Sequence, residues 1–540
     1  MKRFVRLLSV LSVPALLALA GPAGAGGTGA AASPVPVHIN TSLLSQGGRM
    51  WFEKPSPTAT SGLAAAAGSV AFGSNVDAND PARDLAAGQS ETAIAADGNR
   101  VLAAWNDATG FLVQPSTLRA ASLTGVGFSA DGGKTFTDLV GLPNNEATRQ
   151  WFGDPTVVAL GDGVHFIVGS LLLPPGQAFC FSPTEKLISK LAVSVATVSP
   201  TNQVSFTNPI VAARGANLCD FSNPDSAFLD KEFLSYDATT RTLVMSYTRF
   251  FSSFPHSGTG QIELVRAHVP ADPATLLKTD FSPPVVVWPE EGEVVNQGAY
   301  PAVAPGGVAF VAWERNVDTN LFFGNPYVYL HVARVQPTGT APDIGGPNLP
   351  RVLTTGQANS DGLGGVRSLD SVPIAGYSRG LGQDFPRLAV DAPLGKVVAV
   401  WNDASLHPLG DIWLRALNYN LDISTSTPIR KVNDDNSFAL HFLPAVSVRA
   451  SGAVAISWYD RRLNGADSTR TDYFADVRAT PAQNGADVRV TTGATDWAGT
   501  SSLINPNFGD YTDNASSGEK TFFIWSDGRI GVPQPFVDSR

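Results

Sequence analysis

Five polar residues of this 540-residue chain stand where the surrounding pattern does not repeat: Asp154, Lys231, Glu232, Glu314 and Tyr511. Carboxyl groups work in pairs on sugars, one as acid and the other as base or nucleophile according to their separation. A phenol stacks on a sugar ring or takes part in the bond change. Asp154, Glu232, Glu314 and Tyr511 are therefore the expected catalytic groups. Guanidinium forks bind carboxylates two bonds at a time. Lys231, Arg249, Arg315, Arg387, Arg461 and Arg529 are accordingly the expected substrate-binding groups. These positions lie far apart in the chain, so an architecture has to bring them together.

A repeat supplies that architecture. Seven copies of a hairpin pattern run along the chain, among them SETAIAADGNRVLAAWND from Ser90, YPAVAPGGVAFVAWER from Tyr300 and FPRLAVDAPLGKVVAVWND from Phe385. Each has a short β-run, a Gly or Asp turn, a second β-run and, in most copies, a closing aromatic with a charged residue. The landmark at the end of the second run falls at Trp105, Gly169, Tyr247, Trp313, Trp401, Trp458 and Trp525. A hairpin cannot bury both faces alone, and stacking copies around an axis solves that. The pattern predicts an all-β fold: a single β-propeller of seven four-stranded blades, with six as the alternative count. In such a ring the loops after the second and fourth strands share one face. The candidate residues should therefore meet at one mouth. Groups that recur from copy to copy, such as the W-x-D endings at Trp458 and Trp525, read instead as turn bonds and salt bridges of the fold. The last copy has room for a third strand but not a fourth. An N-terminal strand should complete it and close the ring, and Val35 to Ile39 is the candidate.

Composition agrees with short strands and tight turns: 16% charged residues, 52 glycines and 39 prolines. The net charge of −10 and the lack of a basic stripe argue against nucleic acid as a partner. Residues 1–25 read as a secretory signal, with Lys2, Arg3 and Arg6, an apolar run, and cleavage after about Ala25. Residues 26–89 read as a flexible N-terminal segment that includes the ring-closing strand, and residues 90–540 as the propeller. No later stretch is apolar enough to cross a bilayer, so a secreted, monomeric protein is expected. Two cysteines, Cys180 and Cys219, should form a disulfide in that compartment. No cofactor and no metal are expected at the site. Asn433-Asp434-Asp435-Asn436 leaves a structural calcium open, against a plain solvated turn.

One motif is sharp. Ser129-Ala130-Asp131-Gly132-Gly133-Lys134-Thr135-Phe136 fits S-x-D-x-G-x-T-F. It resembles the Asp box of bacterial neuraminidase repeats, found in the sialidase superfamily. The resemblance implies a propeller, with Ser129, Asp131, Gly133, Thr135 and Phe136 holding a tight turn away from the active face. It also implies action on a glycan or acidic polysaccharide at the central mouth, with exo-acting glycoside hydrolysis first and polysaccharide elimination second. The rival reading is a non-catalytic propeller that binds carbohydrate or protein outside the cell.

Overall fold

The computed structural model describes residues 35–37, 39–53, 71–72, 74–83, 86–112, 122–143, 149–175, 179–180, 185–253, 256–292, 294–317, 327–357, 361–369, 372, 374–376, 384–465, 469–503 and 507–540. Seven antiparallel sheets form the seven blades of a β-propeller. The first blade shows the plan: Gln89–Asp97, Arg100–Asp107, Thr124–Ser129 and Thr137–Asp138, each paired with the next. The inner strands of the other blades are Thr156–Ala159, Ala227–Asp237, Val295–Ala304, Arg387–Asp391, His441–Val448 and Asp513–Ser517. The leader expected over residues 1–25 lies outside the described residues. Among the described residues no helix is long and apolar enough to cross a membrane.

The landmark aromatics join neighbouring blades. Trp313 clusters with Val244, Ile262 and Trp288 of the blade before it, and Trp401 with Phe310 and Ala312. Trp458 packs with Val398 and Val400. Trp525 stacks on Tyr473 at 5.2 Å. Trp105 closes the circle by packing with Phe522, Ile524 and Val537 of the last blade. Each of these indoles is fully buried. By area, each such burial stabilises by about 5 kcal/mol. Two of them also bond the repeated carboxylate, Trp458 Nε1 to Asp460 and Trp525 Nε1 to Asp527, both at 2.8 Å. The W-x-D ending is thus a device of the fold, as its recurrence implied.

The ring is closed by an N-terminal strand, but Val35 to Ile39 is not that strand. Asn75–Asp77 pairs with Gln534–Ser539 as the fourth strand of the last blade, with Ala71–Phe72 beyond it. Val35–Pro36 pairs instead with Phe179–Cys180 in a loop of the second blade. Chain reach explains the choice. The closing strand has to lie on the last blade and then enter the first, its neighbour, and residues 75–77 lie just before the first inner strand. Polar bonds fix it there. The Asn75 side chain donates to Val490 O (3.0 Å), and its carbonyl accepts from Thr492 N (2.7 Å) and Arg529 (3.1 Å).

Cys180 and Cys219 form a disulfide with Cα atoms 5.5 Å apart. In the chain-entropy account a closure of this length stabilises by about 4 kcal/mol. The Asp box lies between the third and fourth strands of the first blade. Asp131 accepts from Ser129 Oγ (2.8 Å), Lys134 N (3.0 Å), Thr135 N (3.0 Å) and Thr135 Oγ1 (2.7 Å). Gly132 and Gly133 take the left-handed backbone the turn requires.

One element has no counterpart in the sequence reading. Gln46–Glu53 is an α-helix, α1, inside the segment 26–89 read as flexible.

Candidate active site

The mouth ends of the inner strands share a backbone feature. Glu91, Asp154, Lys231 and Leu443 stand at φ 49°, 56°, 56° and 51°, with Gly298 at an equivalent place. In four blades one extra residue sits here between consecutive paired positions, between Ser90 and Ala93, Asp230 and Phe233, Gln297 and Tyr300, and Phe442 and Ala445. Such a bulge re-aims a side chain, and a left-handed non-glycine residue costs on the order of 1 kcal/mol. Three of these costs fall on charged residues at the axis.

The result is a cluster of acids. Carboxylate oxygens of Asp154, Asp230 and Glu232 lie within 4.8 Å of one another. Glu91 adjoins them, accepting from Asn106 Nδ2 (2.5 Å) and Asp510 N (3.1 Å). Lys231 Nζ stands 3.4 Å from Asp510 and 4.7 Å from the centre of the Phe385 ring. All these groups are buried. Burial, and then the charge of Asp510, pushes the Glu91 carboxyl up to about 7. Burial first, and neighbouring carboxylates second, hold Asp154, Asp230 and Glu232 well above the usual range. Both oxygens of Glu232, and Oδ2 of Asp154, have no hydrogen-bond partner.

The N-terminus of α1 covers this cluster. Ser45 caps the helix, its hydroxyl accepting from Gly48 N at 3.1 Å. Ser45 N and Oγ donate to Asp230 at 2.8 and 2.6 Å, Gln46 N to Glu91 at 3.2 Å, and Gly47 N to Asp154 at 3.2 Å. A helix N-terminus presents unpaired amides and a positive dipole end, and here three blades each supply a carboxyl to it. Glycine permits the approach. A Cβ on Gly47 would lie 2.7 Å from Asp154 Oδ1 and 2.7 Å from Phe152 O, and one on Gly48 2.7 Å from Asp230 Oδ2. Farther along, Trp51 stacks on Phe228 at 5.6 Å and donates to Pro174 O at 3.1 Å.

Other candidates line the axis next to the acids. Tyr511 donates to Pro155 O at 2.9 Å, and its edge meets Phe233 at 5.1 Å. Burial and the charges of Glu91, Asp154 and Glu232 hold its phenol well above the usual range. The Arg387 guanidinium lies over Phe233, Tyr300 and Tyr511 at 4.4, 4.7 and 5.4 Å. Beyond it a cavity of about 360 Å³ follows the axis between the inner strands, with Tyr300 and Asp513 in its wall.

The remaining candidates are held elsewhere. Glu314 is buried, accepting from Gln297 Nε2 and Asp384 N, both at 3.3 Å. Arg249 pairs with Glu263 (2.7 Å), Arg315 with Glu291 (2.8 Å) and Arg529 with Asp527 (2.5 Å). Arg461 donates to Thr471 Oγ1 (3.0 Å) and Ala375 O (2.8 Å), and burial pulls it down to about 10. The turn Asn433 to Asn436 is organised by Arg462, whose guanidinium reaches Asp434 (2.8 Å), Asp435 (3.3 Å), Asp460 (2.8 Å) and Asp487 (2.7 Å). Positive charge at those carboxylates therefore comes from the chain itself.

The structure thus brings Asp154, Lys231, Glu232, Tyr511 and Arg387 together. It adds Glu91, Asp230 and Asp510 to them, and Ser45 to Gly48 above them. Glu91 was legible as the acid heading the first copy, aligned with Asp154 and Lys231. Ser45 to Gly48 carries a capping signal, serine ahead of an apolar stretch, inside a segment otherwise read as flexible.

No protein-family model matches the chain. No curated protein matches it either. Among solved structures, the chain is similar to an α-L-arabinanase of Penicillium chrysogenum complexed with arabinobiose, with 11% identity, a TM-score of 0.42, and coverage of 87% of this chain and 98% of that one. It is also similar to an α-L-arabinofuranosidase of Fusarium graminearum with arabinobiose, at 10% identity, TM-score 0.41, and coverage of 84% and 92%. A Trypanosoma rangeli sialidase is similar at 11% identity and TM-score 0.39, over 83% of this chain and 58% of that one. At such identities and scores the chemistry has to be read from this chain's own side chains.

Proposed function

We propose that this propeller is exported and acts on glycans at its mouth, as a glycoside hydrolase whose working groups are Asp154, Glu232 and Tyr511. Lys231 and Arg387 are the cations that hold an anionic or hydroxyl-rich sugar. One observation supports this above the others. Carboxyls, a phenol, an ammonium and a guanidinium from different blades converge at the axis within a few ångströms. Two carboxyls facing a sugar supply an acid and a base or nucleophile. The disulfide fits an oxidising compartment.

In the arrangement seen, α1 lies over these groups, so a sugar reaches them only when α1 moves aside. The same fact favours a second reading, a non-catalytic glycan-binding module. Its mouth is filled, and Arg249, Arg315 and Arg529 pair within their own blades.

The deciding experiment screens the full chain and Gly47→Ala, which weakens the seat of α1, against sialosides and acidic polysaccharides. The expected result is sugar release that rises in Gly47→Ala and is lost in Tyr511→Phe. An unsaturated product would identify elimination instead of hydrolysis. Binding across a broad glycan panel without turnover in either protein would replace the enzyme with the binding module.

A further inference from the structure

Five carboxyls, Glu91, Asp154, Asp230, Glu232 and Asp510, meet at the axis, and the ammonium of Lys231 faces Asp510 at 3.4 Å. The α1 amides reach some of the oxygens. Asp154 gives Oδ1 to Gly47 N, and Asp230 receives Ser45 N and Oγ and Lys231 N. Other oxygens point into the cluster without a donor: Oδ2 of Asp154 and both oxygens of Glu232, on residues 1% exposed. Buried carboxylate oxygens with no donor cost several kcal/mol unless they take up a proton or something positive stands between them.

The structure assigns that place to a divalent cation: we propose that Asp154, Asp230 and Glu232 bind one hard cation of the Ca²⁺ class on the propeller axis, beneath the N-terminus of α1. The donors are all carboxylate oxygens, which suit Ca²⁺ and Mg²⁺ and not the softer metals. Three oxygens within 4.8 Å of one another enclose a point no more than about 2.8 Å from each, a span that accommodates Ca²⁺ at its usual distance of about 2.3–2.6 Å, and a Ca²⁺ ion tolerates irregular ligand geometry better than Mg²⁺ does. Ser45 and Gly47 hold the carboxylates on the side facing α1, so the helix orients the ligands without occupying the free oxygens. The positive charges nearby do not exclude the ion. Lys231 is turned to Asp510 and to the Phe385 ring, and the α1 amides are already bonded.

This inference shares Asp154 and Glu232 with the glycan reading, but it is measured on the purified chain without sugar, so the two fail separately. The chain is incubated with Ca²⁺, passed through metal-free buffer and assayed for bound metal by mass spectrometry. About one equivalent is expected, with a rise in Tm of about 2–3 °C when Ca²⁺ exceeds its Kd a hundredfold. Glu232→Gln should abolish both effects. It should also fold, since the amide takes the place of a carboxyl with no protein donor. Asp154→Asn, which can keep the bond from Gly47, is the second variant and should lose the same equivalent. Asp487→Asn, at the Arg462 cluster, should retain it, and so should Tyr511→Phe, whatever its effect on glycans. A chain that keeps no metal and shows no shift in Tm overturns the proposal. So does an equivalent retained by Glu232→Gln and Asp154→Asn, because the ion would then sit elsewhere.

Discussion

Gly47→Ala tests whether the seat of α1 on the acid cluster is as close as the structure shows. The docked helix makes four bonds to Asp230, Glu91 and Asp154. At about 1 kcal/mol each they contribute about 4 kcal/mol, and the burial of Trp51 adds about as much. Ordering the eight residues of α1 opposes this by an amount of the same size, at about 1 kcal/mol per residue, so the docked state is held by a narrow margin. The new methyl would stand 2.7 Å from the Phe152 carbonyl, a backbone atom that cannot swing aside. The helix has to retreat, and the bonds from Gln46 N and Gly47 N weaken together. That loss of about 2 kcal/mol lowers the ratio of docked to undocked helix about 30-fold. Trypsin reports it directly, because Arg49 lies within α1 and is cleaved only from the undocked helix. Cleavage there should quicken about 30-fold, with a red shift of Trp51 fluorescence and little change in the main unfolding transition. The sign is diagnostic. In a helix with room around it, Gly→Ala stabilises by about 1 kcal/mol and would slow cleavage. Equal or slower cleavage at Arg49 in Gly47→Ala would refute the close seat.

Two further outcomes follow from the fold. Burial raises Asp107 and Asp403 to about 6 each. The folded chain therefore binds more protons than the unfolded one between pH 4 and 6. The contribution of these two carboxyls to stability is greatest below pH 4, falls through about pH 6 and is flat above, by up to about 3 kcal/mol per carboxyl. Asp403→Asn should flatten part of that slope in denaturant titrations across the range, and an unchanged slope would remove Asp403 from the account. Reducing the disulfide, or replacing Cys180 and Cys219 by serine, should lower stability by up to about 4 kcal/mol. A Tm that ignores reductant would show that the bridge adds nothing.

The sequence made the ring legible because its strongest signals are periodic. Indoles that end second strands pack on the preceding blade at nearly every step, and where the landmark changes the packing explains it. At Gly169 a Cβ would meet Thr156 and Leu234, and Trp151 supplies the aromatic bulk of that seam. The cysteine pair and the Asp box were legible because each is a local rule with one outcome. The closing strand was not. Asn75–Asp77 is three residues long and held by the amide of Asn75, so it shows no hydrophobic alternation, whereas the apolar pair Val35–Pro36 pairs elsewhere. The site was half legible. The acids at the strand heads stood out by failing to repeat. Their convergence depends on left-handed turns at Glu91, Asp154 and Lys231, which no residue preference predicts at charged side chains.

That last point bears on function. A fold gains nothing in stability by bending three charged residues into a strained backbone and sealing their like-charged neighbours from water. Leu443 and Gly298 take the same turn in two other blades. The turn itself therefore needs no charge, yet buried acids stand at the heads of five blades, at Glu91, Asp154, Asp230, Asp384 and Asp510. Stability would be served as well by glycine or leucine at every head. Acids kept at such a cost are better explained by something they hold, a cation or a sugar or both, than by the propeller they belong to. Replacing Glu91 by glutamine, whose carbonyl oxygen can still accept from Gln46 N and Asp510 N, separates the two explanations. It should leave the chain folded, and it should weaken whatever the axis binds. A chain that fails to fold would return Glu91 to the architecture.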